Sequence, residues 1–198
     1  MTDYFAAALE RIPVLAILRG HKPASAVVTA EQCWRVGIPL VEVSLSGEHA
    51  LEALEAVCRR GRELGRAAGA GTVLTVDQVA AAAEAGADFA VAPGLDPDTL
   101  AAARELNLPY LPGVATPSEV QTALALECRT LKFFPASALG TEWLRSLAGP
   151  FPEAGFVAVG GVDVRNASAW MEAGAVGIGV GSALEGAALP QLVAAVTG

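Results

Sequence analysis

Histidine and lysine are scarce in this chain of 198 residues, two of each against eleven arginines. His21 and His49 stand apart from each other and from every cysteine, so neither a histidine-built metal site nor a Ser-His-Asp triad is expected. Cysteine is nearly as rare. Cys33, Cys58 and Cys128 are odd in number and form no CxxC pair, which points to reduced, partly buried thiols rather than a disulfide framework. Long apolar runs are also missing. No stretch is long enough to span a membrane, and the N-terminal MTDYFAAALERIP is acidic and amphipathic, unlike a secretory leader. A cytoplasmic location is the expectation. Positive charge is in deficit too: the formal net charge of −8 argues against nucleic acid or an anionic membrane as the main partner. An anionic substrate would need a local patch of arginine, lysine or free backbone N–H groups.

What is abundant is small and apolar. Apolar residues make up 53% and charged ones 17%, a balance that excludes disorder and suits small-residue helices packed on buried strands. Eight short runs read as strands: VLAIL (14–18), LVEVSL (40–45), AGAGT (68–72), DFAVA (88–92), PYLPG (109–113), TLKFF (130–134), GFVAVG (155–160) and VGIGV (176–180). Between them lie helical patterns such as HALEALEAVCRRGRELG and VDQVAAAAEAG, several closing on glycine. A strand-plus-helix period of roughly 20 to 25 residues predicts parallel βα units. Eight such units close into a single (β/α)8 TIM barrel over residues 1–198, preceded by a short N-terminal helix. A doubly wound open sheet is the alternative, but the GAGT at Gly69–Thr72 is no GxGxxG fingerprint.

One of the two lysines, Lys132, sits inside the apolar run TLKFF. Strand side chains alternate, so Leu131 and Phe133 share one face while Thr130, Lys132 and Phe134 share the other. In LVEVSL, Val41, Val43 and Leu45 form an apolar face suited to helix packing, which turns Glu42 inward with Leu40 and Ser44. Two strands thus each aim one ionisable group at the barrel interior, an expensive place unless the groups are paired. A lone strand lysine is also compatible with a snorkelling edge residue, and a lone glutamate with a simple salt bridge. A dehydrated lysine, however, has its charged form disfavoured, and a neutral amine attacks a carbonyl carbon to form a Schiff base.

Glycine pairs close the last two strands. Gly160 and Gly161 follow the seventh, and Gly181 with Ser182 follows the eighth, opening the final helix. Barrels often bind phosphate here, through loop N–H groups and a helix N-terminus; tight βα turns would use glycine as well. Arg19, ending AILRG, has the chemistry to clamp a carboxylate or to pair with a neighbour at the rim. Thr72 ends the third run and Pro93 follows the fourth, at the same mouth.

These pieces resemble the 2-keto-3-deoxy-6-phosphogluconate (KDPG) aldolase / 4-hydroxy-2-oxoglutarate (KHG) aldolase family. The resemblance runs from Val14 to about Leu184 and is carried by VLAILRG, VEVSL, GAGTVLT, AGADFAVAPG, PGVATPSE, LKFFPAS, GPFP, VAVGGV and GVGSAL, in that order. It implies a metal-independent class I aldolase, a carbon–carbon lyase needing no cofactor. The products would be pyruvate and glyceraldehyde 3-phosphate, or pyruvate and glyoxylate. It also implies a place in Entner-Doudoroff carbohydrate metabolism and a homotrimer. By the same resemblance Lys132 would form the Schiff base, Glu42 would be the general acid/base, and Arg19, Thr72 and Pro93 would line the pyruvate half. Phe134 would pack beside the lysine, and Gly160, Gly161, Gly181 and Ser182 would hold the phosphate. One departure stands out. Many members carry an arginine in a VTLRT-like segment where this chain has VSLSGEH, with Ser46 and Gly47. PASALG also resembles the PSSAFG of 6-phosphogalactonate aldolases, which leaves the sugar's stereochemistry open. The competing readings are a non-covalent phosphate-binding barrel isomerase or synthase and a non-catalytic ligand-binding barrel.

Overall fold

The computed structural model of the protein describes residues 3–181, 184 and 188–197. The chain runs α1 (Tyr4–Leu9), β1 (Val14–Leu18), α2 (Pro23–Arg35), β2 (Leu40–Ser44), α3 (Ala50–Leu64), β3 (Ala67–Gly71) and α4 (Val76–Glu84). It continues through β4 (Phe89–Val91), α5 (Pro97–Glu105), β5 (Tyr110–Leu111), β6 (Gly113–Val114), α6 (Pro117–Ala125) and β7 (Thr130–Phe133). Then follow α7 (Ala136–Leu139), α8 (Thr141–Ala148), β8 (Gly155–Val159), α9 (Ala167–Glu172), β9 (Gly177–Val180) and α10 (Ala188–Thr197). All strand pairs are parallel, in the order β5-β4-β3-β2-β1-β9-β8-β7-β6.

The expected eight runs appear as nine strands because the fifth is cut by Pro112. Proline has no N–H to give to a ladder. Its carbonyl still accepts from Lys132 N at 2.8 Å, while Leu111 O accepts from Ala92 N and Gly113 N donates to Gly94 O, both at 3.0 Å. The run therefore serves β4 with one half and β7 with the other. The sheet closes there into a TIM-like α/β barrel. No helix among the described residues is long and apolar enough to cross a membrane.

Period-two alternation sorts side chains into two layers. Val41, Val43, Ala68, Ala70, Leu131, Phe133, Phe156 and Ile178 belong to the layer between sheet and helices. Leu15, Ile17, Leu40, Phe89, Val91, Leu111, Val157 and Val159 fill the barrel itself. Helix α1 forms the floor beneath them. Asp3 caps it, with Oδ1 accepting from Phe5 N and Ala6 N, while its Oδ2 accepts from Thr130 N at 3.1 Å. Phe5 and Leu9 join the inner layer, and the Phe5 ring meets Phe89 edge to face at 5.8 Å. Phe89 is fully buried. Phe89→Ala is accordingly expected to cost about 3–5 kcal/mol, measured as a shift in urea unfolding.

Candidate active site

β2 and β7 supply the two buried charges. Glu42 is 1% exposed and Lys132 is 5% exposed, each flanked along its strand by residues of the outer apolar layer. Their inward orientation follows from alternation: Val41 and Val43 fix the phase of β2, Leu131 and Phe133 that of β7. Among the described residues, neither group joins an ion pair, and Glu42 Oε2 is buried without a hydrogen-bond partner.

Dehydration drives both groups toward neutrality. Burial raises the Glu42 pKa to about 7, with the nearby positive charges of Lys132 and Arg19 pulling the other way. Burial likewise lowers the Lys132 pKa; Glu42 opposes that shift and Arg19 adds to it. A carboxyl half-protonated near neutrality can both give and take a proton. An amine eased away from its cationic form can act as a nucleophile.

The remaining predicted positions sort into three groups. Phe134 lies beside the lysine, its ring centroid 4.9 Å from Nζ, and a β-carbon at Gly160 would stand 3.2 Å from Phe134 Cδ2. Lys132, Phe134 and Gly160 are therefore neighbours. Gly160 and Gly161 both take left-handed φ, +100° and +74°, which only glycine adopts without strain. Arg19 follows β1, with an exposed side chain whose charge is felt by both buried groups. Pro93 follows β4 in the segment that passes close to Gly113. Gly181 follows β9 and packs near Ile17. Ser182 lies outside the described residues.

Thr72 follows β3 directly with φ +60°, a strained setting for a β-branched residue, and its Oγ1 lies 2.8 Å from Ser44 Oγ. Ser44 Oγ lies 2.8 Å from Ser46 Oγ as well. Of this trio of hydroxyls at the barrel mouth only Thr72 was an expected site residue. Ser44 shares the inward phase of Glu42, which is the signal that would have suggested it. Ser137 stands beside the predicted Gly160, its N–H donating to Gly160 O at 2.9 Å. A cavity of about 70 Å³ opens beside these hydroxyls among Gly20, His21, Ser46 and His49. A wider one, about 720 Å³, lies at the opposite end among Asp3, Arg11, Arg129 and Thr197, away from both buried charges. The chemistry of the side chains, rather than volume, locates the site. Among the described residues no group of three His, Cys, Asp or Glu could hold a metal ion.

The family model for KDPG and KHG aldolase matches residues 5–192. The KHG/KDPG aldolase of Escherichia coli (strain K12) is 37% identical over 155 residues, covering 78% of this chain and 72% of that one. The 2-dehydro-3-deoxy-6-phosphogalactonate aldolase of the same strain is 33% identical over 175 residues, covering 88% and 85%. Among solved structures, the KDPG aldolase of Legionella pneumophila, with pyruvate captured as a covalent carbinolamine intermediate, superposes with a TM-score of 0.83. It is 28% identical and covers 100% of this chain and 98% of that one.

Proposed function

We propose, for a chain that belongs to the KDPG and KHG aldolase family and is a carbon–carbon lyase, a Schiff-base cleavage carried by Lys132. The substrate is 2-keto-3-deoxy-6-phosphogluconate, giving pyruvate and glyceraldehyde 3-phosphate, or 4-hydroxy-2-oxoglutarate, giving pyruvate and glyoxylate. The observation that carries this reading is the pair of dehydrated, mutually unbonded groups, Lys132 and Glu42, inside one barrel. The carbinolamine captured in the Legionella pneumophila relative supports the covalent route.

The neutral Nζ of Lys132 attacks the C2 ketone, and the carbinolamine loses water to give an iminium. Glu42 then removes the proton of the C4 hydroxyl. The C3–C4 bond breaks, its electron pair flows into the iminium, and the aldehyde leaves. What remains is a neutral enamine. Protonation at C3 and hydrolysis release pyruvate and restore the amine. Arg19 holds the substrate carboxylate, with Thr72 and Pro93 lining the pyruvate half and Phe134 keeping water from Nζ. The backbone N–H groups at Gly160, Gly161 and Gly181, with the hydroxyl of Ser182, bind the distal phosphate. No metal or cofactor takes part. The working unit is a homotrimer of one-domain barrels acting in the cytoplasm, in the Entner-Doudoroff route.

The galactonate-derived isomer is a second reading. The 6-phosphogalactonate aldolase match spans 88% of the chain, and Ser46-Gly47 stands where many members of the family carry arginine, which leaves the substrate preference open. Comparing steady-state kcat/KM on the two sugar acids and on 4-hydroxy-2-oxoglutarate decides between them. Covalent chemistry is tested by incubation with pyruvate and borohydride. A stable adduct on Lys132 is expected; an unmodified Lys132 would overturn the mechanism.

A further inference from the structure

Strand β3 reads AAGAG; of its three inward positions Ala67 packs against the inner layer, while Gly69 and Gly71 carry no side chain, and Ala68 and Ala70 pack outward. The two gaps are filled by different neighbours. A β-carbon at Gly69 would stand 2.5 Å from both the Phe89 ring and the Phe89 carbonyl oxygen, so that gap belongs to the barrel's packing. At Gly71 the three nearest atoms all belong to Glu42. A β-carbon there would fall on Oε1 and lie 2.7 Å from Cδ and 3.3 Å from Cγ. Gly71 is not among the residues with left-handed φ, so its backbone accepts alanine. The first obstacle a β-carbon would meet is the Glu42 side chain.

Shape matters here because bonding does not do the holding. Among the described residues Glu42 Oε2 is buried without a hydrogen-bond partner, and no ion pair fixes the carboxyl from the other side. We infer that Gly71 is a positioning residue for the cleavage: the space left by its missing side chain is the seat of the Glu42 carboxyl. Filling the seat swings the acid away from the reacting bond while leaving Lys132 untouched. The inference rests on Glu42 being the acid/base of the proposed reaction.

The test is a cycle of Gly71→Ala and Glu42→Ala, made singly and together, with Glu42→Gln as reference. Gly71→Ala is expected to fold and to trap pyruvate on Lys132 as the parent does. Its kcat should fall about 10²-fold, with KM changed far less. In the Glu42→Ala background the same substitution should alter the residual rate by less than about 2-fold, because nothing remains for the β-carbon to displace. Parental kcat in Gly71→Ala overturns the inference, as does an equal loss in the Glu42→Ala background. If Gly71→Ala fails to fold, the double variant should fold; a double variant that also fails means the obstacle lies elsewhere, and the inference falls. If Glu42→Gln keeps full turnover, the acid/base reading fails and takes the seat with it. If Glu42→Gln is impaired and Gly71→Ala is not, the seat alone is refuted.

Discussion

Lys132→Ala is expected to bring cleavage down to background, a loss of about 10⁴-fold or more in kcat, and to abolish the borohydride adduct. The size of the loss follows from the role. Without the amine no iminium forms, and the electrons released by C3–C4 scission have nowhere to go. The fold should survive, because the side chain makes no ion pair among the described residues and its charged form is already disfavoured by burial. A small primary amine added to the assay should restore part of the turnover by entering the vacated space. Unchanged kcat/KM in the alanine variant would exclude covalent catalysis through this residue.

Glu42→Gln separates the two halves of the chemistry. Pyruvate trapping should persist, while kcat on the full substrate should fall about 10²- to 10⁴-fold, the usual worth of a positioned acid/base. The same substitution has an opposite effect on stability. Burial holds the folded-state pKa of Glu42 at about 7, above its ordinary 4.5. Below the lower value the carboxyl is neutral in both states and costs nothing. Between the two values the unfolded chain ionises freely and the folded one resists, so stability falls as pH rises and levels off above the upper value. A gap of that size corresponds to about 3 kcal/mol. Glutamine does not titrate. The stability of Glu42→Gln relative to the parent should therefore climb from pH 5 to pH 8, read by urea unfolding at the two pH values. A constant difference across that range would mean that the carboxyl is not dehydrated. Lys132 adds a limb of the other sign, because its lowered pKa costs stability as pH falls through the folded-state value.

The buried, inward placement of Glu42 and Lys132 was legible in the sequence because their neighbours were. Val41 and Val43 on one strand, Leu131 and Phe133 on the other, are apolar and obey strict alternation, so the phase of each charged residue could be fixed without coordinates. The barrel followed from the repeating unit for the same reason. Other features depend on three-dimensional encounters that no local pattern records. Pro112 lies in the middle of PYLPG, and its effect on the closing run emerges only when β4 and β7 are both in place. The Ser44–Thr72–Ser46 contacts need the positive φ of Thr72, which a threonine's intrinsic preferences argue against. Gly71 is silent within AGAGT, since an absent side chain gives no clue to what occupies its space.

Asp3 binds the backbone of Thr130, two residues before Lys132 along the same strand, while Phe5 covers Phe89 from below. The stopper at the bottom of the barrel and the Lys132 nitrogen are thus fastened to one length of backbone. Because burial is what lowers the Lys132 pKa, a stopper loosened at Asp3 or Phe5 is expected to raise it again, so that the proposed chemistry at the mouth depends on how tightly the opposite end is sealed.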